Sequence, residues 1–271
     1  VWAPSRYWVA FDANGGTGSM AAQEFTYDEA KALTKNTFAK TGYGFAGWVT
    51  NLTDSVVFYN GAYCGASAPD HAHLQIGAKG VIPLQRDFGG YEKDLVKVYP
   101  LADAEKKKLG FDETVPDGTG IYLFTSFLYP MFVMKLTGTE VDGKIFETML
   151  GALPVVNGEP EPRFNLLGWN DGETTEGSTR LTVAVIPRKK QRPECYFAEG
   201  ESQYIISPGC VDMGGLLITP RREDFDRLTP EKAVAILREV TLSNESIALC
   251  INRLHGRKAY RLQENENGKN I

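Results

Sequence analysis

Two of the chain's three histidines stand one residue apart in the stretch Cys64-Gly-Ala-Ser-Ala-Pro-Asp-His71-Ala-His73-Leu-Gln75. On an extended segment, residues 71, 73 and 75 point to one face, so two imidazoles and a carboxamide converge on one pocket. A neutral imidazole attacks phosphorus well when its other nitrogen donates to a fixed acceptor, because that hydrogen bond sets the tautomer. A neighbouring backbone carbonyl would serve. The small residues before the histidines, among them Gly65 and Ser67, offer backbone N–H groups and a hydroxyl to phosphate oxygens. Gln75 can donate a hydrogen bond to a phosphoryl oxygen and has no proton to supply, which suits handing a nucleotidyl group to a phosphate or sugar phosphate. Against this stand the plainer readings of surface or structural histidines. A zinc site from Cys64, His71 and His73 would need a further ligand pair that the sequence lacks, so no metal and no other cofactor is expected.

The bulk of the chain narrows the classes. Its 271 residues, 42% of them hydrophobic, can fill one large core or two modest ones. A net charge of −5 and a pI near 5.4 argue against general nucleic-acid binding, which calls for a basic face. The apolar run Ile121 to Met134 is too short for a membrane span and contains Pro130, so no membrane span is expected. The four cysteines, at 64, 195, 210 and 250, form neither a CxxC pair nor a dense framework, and free thiols are expected. The first residue is Val1, so an upstream segment is expected to be missing. The sequons at Asn51 and Asn244 decide nothing about export.

The elements that must carry the motif follow from pattern. Residues 7 to 50 alternate short aromatic runs with Asn14-Gly15-Gly16 and Thr41-Gly42, the signature of a small β-rich module. Ser55 to Tyr59 reads as a strand ending at Asn60-Gly61. Apolar strands are expected over 120–136, a helix over 143–153, a linker at Pro154 to Arg163, a strand over 180–187 and another over 214–219. Lys79 to Pro83 and Asp103 to Lys108 read as solvated connections. Thr229 as N-cap, Pro230 at the first helical position and Glu231 in the first turn mark a helix start, with its buried stripe at 233, 236, 237 and 240. The basic run Arg188-Lys189-Lys190-Gln191-Arg192 directly follows a buried strand, which places it for ligand contact as readily as for solvation. Asn60 precedes the small-residue turn.

Two stretches resemble known families. FDANGGTGSMAAQEFTY with LTKNTFAKTGYGFAGWVT resembles the internalin-type B-repeat over residues 7–58, which implies a β-grasp-like spacer or adhesion unit of bacterial surface proteins. GASAPDHAHLQ resembles the histidine-triad signature, in the branch of galactose-1-phosphate uridylyltransferases and dinucleoside tetraphosphate phosphorylases. VFYNG before it, and FNLLGW, VIPRKKQRP and VDMGGLLITPRREDFDRL after it, extend the similarity over residues 56–245. The resemblance implies an α+β fold with an antiparallel sheet and packed helices. It implies that His73 attacks the α-phosphate to form a nucleotidyl-histidine, that His71 orients it and that Gln75 holds the phosphoryl oxygens. Asn60, Gly65, Ser67, Arg188, Lys189 and Lys190 become candidate substrate ligands. The implied partners are a nucleotide or nucleotide sugar and a phosphate or sugar phosphate acceptor, with a homodimer as the expected assembly.

Two departures qualify the transfer. Asp70 is inserted between Pro69 and His71, and the β-rich module stands where the branch has the first half of its base and ribose pocket. The expected organisation is therefore a module at 1–55 and a histidine-triad-like domain at 56–271 that lacks part of its first half, with activity impaired by that loss. The alternative is a surface or interaction protein whose B-repeat is the working part and whose second domain is a non-catalytic scaffold. The first reading places the chain in the cytoplasm, the second at the cell surface.

Overall fold

Two strand-forming runs in the second half of the chain, FNLLGWNDGE and TRLTVAVIP, form the longest antiparallel pair of the structure. In a computed structural model the described residues are 6–11, 13, 16–26, 31–42, 55–66, 74–100, 118–137, 140–173 and 179–256. The chain divides into two compact units, Val1–Thr50 and Asn51–Ile271.

In the first unit, β1 (Arg6–Val9) pairs antiparallel with β2 (Gln23–Thr26), and Thr17 bridges Ala39. The Gln23 carboxamide ties β2 to the following segment, donating to Ala32 O at 2.9 Å and accepting from Thr34 N at 2.7 Å.

The second unit is α+β. Its strands are β3 (Ser55–Asn60), β4 (Leu74–Ala78), β5 (Val96–Tyr99), β6 (Gly120–Phe124), β7 (Met131–Leu136), β8 (Phe164–Glu173) and β9 (Thr179–Pro187), in the spatial order β4-β3-β8-β9-β7-β6-β5 with every pairing antiparallel. The strand expected at 55–59 thus has partners on both sides, β4 and β8. The helices are α1 (Pro83–Arg86), α2 (Glu140–Ala152), α3 (Glu194–Phe197), α4 (Cys210–Met213), α5 (Arg222–Arg227), α6 (Pro230–Val240) and α7 (Asn244–Leu254).

The central strands are apolar at successive positions because both faces of the sheet are covered. Phe132, Met134, Val183 and Val185 pack on one side with Ile145 and Met149 of α2 and Ile247 and Leu254 of α7. Met131, Val133, Ala184 and Ile186 pack on the other with Leu84, Phe88, Met213, Leu237 and Val240. The α6 start is as expected: Thr229 accepts from Lys232 N at 3.2 Å, and Ile236, Leu237 and Val240 are buried.

Three expectations are corrected. The helix expected from 143 begins at Glu140. Residues 214–219 form no strand, because Gly215 turns at a φ of 98° and Ile218 N donates instead to the Asp212 carboxylate at 2.6 Å. Lys79 to Pro83 is solvated only in part, since Ile82 is buried and Pro83 opens α1. Asp103 to Lys108 lies outside the described residues. Among the described residues, no helix is long and apolar enough to cross a membrane.

Candidate functional site

The motif enters the described structure at Leu74, the first residue of β4, which pairs with Tyr59 of β3. His71, His73 and Ser67 lie outside the described residues, and Gln75 and Asn60 lie inside. Gln75 is exposed on the outermost strand, and its Oε1 accepts from Asn60 Nδ2 at 3.3 Å. That contact joins the glutamine of the motif to the residue just before the small-residue turn.

The turn is held from three directions. Cys64 N donates to Gly61 O at 2.8 Å. The Glu161 carboxylate accepts from Ala62 N at 2.8 Å and from the Tyr59 hydroxyl at 2.8 and 2.9 Å, so the segment read as a linker is an anchor of the site. Burial, followed by the Glu161 carboxylate, pushes the Tyr59 hydroxyl above its ordinary pKa. Gly65 has a φ of 95° and lies against Gly209: a Cβ there would stand 2.8 Å from the Gly209 Cα.

Beneath the turn runs a chain of polar side chains. Asn60 Oδ1 accepts from Asn165 Nδ2 at 2.9 Å and from Cys210 N at 2.6 Å. Asn165, fully buried, also donates to Cys64 O at 2.8 Å and accepts from Arg188 Nη1 at 2.5 Å. Asp212 steadies the neighbouring loop by accepting from Gly209 N at 2.9 Å, and burial raises its carboxyl above the usual range.

Arg188 does not face solvent. It is 2% exposed, and its remaining N–H groups donate to the carbonyls of Val240, Pro208, Lys190 and Gln191. With one bond to Asn165, all five donors are on protein acceptors, and burial pushes the guanidinium below its ordinary value. It holds the polar layer under the turn and has no donor left for a phosphate. Lys190 is paired with Glu194 and Glu239, each at 2.6 Å, while Lys189 is exposed on the same loop. The basic run is therefore split: Arg188 is buried, Lys190 is ion-paired, Lys189 is exposed, and Arg192 donates to the Ser207 hydroxyl at 3.1 Å.

The four cysteines are free and buried. Burial raises the Cys64 thiol to about 11 and that of Cys210 to about 12, which leaves both protonated and poor nucleophiles near neutrality. Among the described residues, no group of acidic, histidine and cysteine side chains could hold a metal ion. A separate cavity of about 500 Å³ lies among Glu92, Leu95, Tyr122, Lys135, Thr137 and Arg180, at the opposite ends of β8 and β9 from Asn165 and Arg188. It holds none of the predicted residues.

Asn165, Glu161, Gly209 and Asp212 were not singled out in the sequence. The one legible signal was Asn165, a carboxamide set in the apolar run of FNLLGW, where a buried polar group demands partners.

Two family models match parts of the chain. A domain of unknown function, DUF4922, matches residues 22–78, and a GDPGP1-like C-terminal domain matches residues 164–250. The first span runs from within the β-rich stretch to the last residue of β4 and holds Asn60, Gly65, His71, His73 and Gln75; the second holds Asn165, Arg188 and Gly209. No curated protein and no solved structure matches the chain.

Proposed function

We propose that the chain is a nucleotidyltransferase or nucleotide phosphorylase that works through a nucleotidyl-histidine on His73. A ring nitrogen of His73 attacks the α-phosphorus of a nucleotide or nucleotide sugar, and the phosphoanhydride bond breaks to release a phosphate or sugar phosphate anion. A second such anion then attacks the same phosphorus, the P–N bond breaks and His73 is restored. Neither displacement needs a proton from the enzyme, because the leaving groups are stable anions, and a glutamine therefore serves where an acid would otherwise be required. Within this reading the seven-stranded antiparallel sheet is the histidine-triad-like sheet, and the N-terminal module is a β-grasp-like B-repeat.

The observation that carries the reading is the Asn60–Gln75 bond. It sets the glutamine of the histidine motif beside a turn whose glycine, Gly65, has the positive φ that lets backbone N–H groups crowd toward a ligand. The carboxamide and the turn then share one corner of the sheet, and His73 precedes Gln75 by two positions in the sequence.

The test is intact-mass spectrometry of the full chain after incubation with nucleoside diphosphate sugars and dinucleoside tetraphosphates. The expected result is a mass gain of one nucleoside monophosphate that maps to His73 and is absent from His73→Ala. Equal labelling of the His73→Ala protein, or no adduct with any of these nucleotides, overturns the reading.

A further inference from the structure

Four side chains, one from each of three adjacent strands and one just past the end of a fourth, form an unbroken hydrogen-bonded row. They are Gln75 on β4, Asn60 on β3, Asn165 on β8 and Arg188 after β9. The direction of every bond in the row is dictated by groups whose hydrogen-bonding sense is not in question. A guanidinium can only donate, so Asn165 must turn its oxygen to Arg188. The Cys64 carbonyl can only accept, so it draws the Asn165 nitrogen, which also faces Asn60. Asn60 then meets two donors, Asn165 Nδ2 and the Cys210 N–H, and must answer both with its oxygen. Reversing either asparagine would set donor against donor in a buried layer, at a cost of one or more lost hydrogen bonds. The Asn60 nitrogen is left for Gln75, whose oxygen must take it. What remains at the open end of the row is the Gln75 NH2 group.

We propose that Arg188 and Asn165 are positioning residues that act through Asn60 to hold the Gln75 amide nitrogen outward. The corner is thereby committed to a ligand that accepts hydrogen bonds, such as the oxygens of a phosphoryl group, and set against one that donates them. This rests on the reading of Gln75 as the residue that holds the phosphoryl oxygens, and it gives Arg188 a role without contact to the substrate.

The test uses two nearly isosteric variants of the full chain. In Asn60→Asp, both carboxylate oxygens accept, so Gln75 must turn over and donate inward. In Asn165→Asp, which is one strand further from the substrate, the new carboxylate draws the Asn60 nitrogen toward itself, because a bond to a charged acceptor outweighs the neutral Cys210 N–H bond that Asn60 gives up, and the same reversal passes to Gln75. The first readout is the exchange of the Gln75 side-chain NH2 protons with water, followed by NMR on 15N-labelled protein and assigned with Gln75→Glu. They are expected to exchange at the rate of a free amide in the unsubstituted protein and several-fold more slowly in both variants. The second readout is the rate of adduct formation on His73 with a nucleoside diphosphate sugar, expected to fall about ten- to hundredfold in Asn165→Asp, the loss of one hydrogen bond to a charged group. Gln75 exchange that is unchanged in both variants, or slow already in the unsubstituted protein, overturns the proposal. If the amide reverses as expected while no nucleotide ever labels the unsubstituted protein, the orientation stands and the reading of the reaction falls.

Discussion

Gly65 and Gly209 meet backbone to backbone, with no room for a side chain on Gly65 and a tight fit for one on Gly209. A Cβ on Gly65 would stand 2.8 Å from the Gly209 Cα, and one on Gly209 would stand 3.2 Å from the Asn60 carboxamide oxygen. The small-residue turn and the loop before α4, 144 positions apart, are thereby pressed together where the polar row surfaces.

Gly65→Ala should lower the unfolding free energy by about 2–4 kcal/mol, since it adds both a disfavoured positive φ and an overlap with immovable backbone. The control is Gly143→Ala. Gly143 lies inside α2, exposed, with nothing within 4 Å of its would-be Cβ. There the substitution should stabilise by about 0.5–1 kcal/mol through helix propensity. Urea unfolding of the two variants checks the contrast, and equal effects would count against the close packing of the turn.

Arg188 is expected to act on stability, and not as a surface ligand of phosphate. Arg188→Leu strands Asn165 Oδ1 and takes the arginine from the carbonyls of Pro208, Lys190 and Gln191, while Val240 O keeps the Lys189 N–H; it should cost on the order of 3 kcal/mol. Lys189→Ala, at an exposed position on the same loop, should change stability by less than about 0.5 kcal/mol. A denaturant midpoint for Arg188→Leu equal to that of the unsubstituted chain would restore the arginine to the surface role its sequence context suggested.

The buried thiols predict a loss of stability in alkali. Burial raises Cys250 from 9.0 to about 11, as it does Cys64. The unfolded chain releases these protons from about pH 9 while the folded chain keeps them to about pH 11. The stabilisation is thus complete below pH 9 and is lost as pH rises through that interval, by up to about 1.4 kcal/mol per pH unit for each thiol. Cys250→Ala removes one such group far from the polar row. It should flatten the slope of stability against pH between 9 and 11 by up to that amount, and an unchanged slope would contradict the assignment.

Much of the scaffold was legible because it follows from local chemistry. The Thr229-Pro230-Glu231 start of α6, the strand at 180–187 and the buried aromatic and aliphatic residues between 121 and 134 each rest on neighbours within a few positions. The 214–219 segment misled for the opposite reason. Its Gly-Gly-Leu-Leu-Ile run has strand composition, but the backbone donor of Ile218 is taken by a carboxylate six residues back. The linker expected at Pro154 to Arg163 is indeed a connection without helix or strand, but nothing local shows that its Glu161 answers Tyr59 and Ala62 about a hundred positions away.

By itself the sequence determined the residue types of the site: the paired histidines with Gln75, the glycine turn behind Asn60 and a basic run at the end of a buried strand. Those are matters of side-chain chemistry and short spacing. Only the tertiary structure decided which of them meet and in which sense they bond. Asn60 and Asn165 are 105 positions apart and are neighbours only because β3 and β8 pair. Arg188 is a structural donor and not a surface cation only because α6 and the loop before α4 close over it with their carbonyls. Burial makes each polar group find a partner, and the partners available are set by the fold.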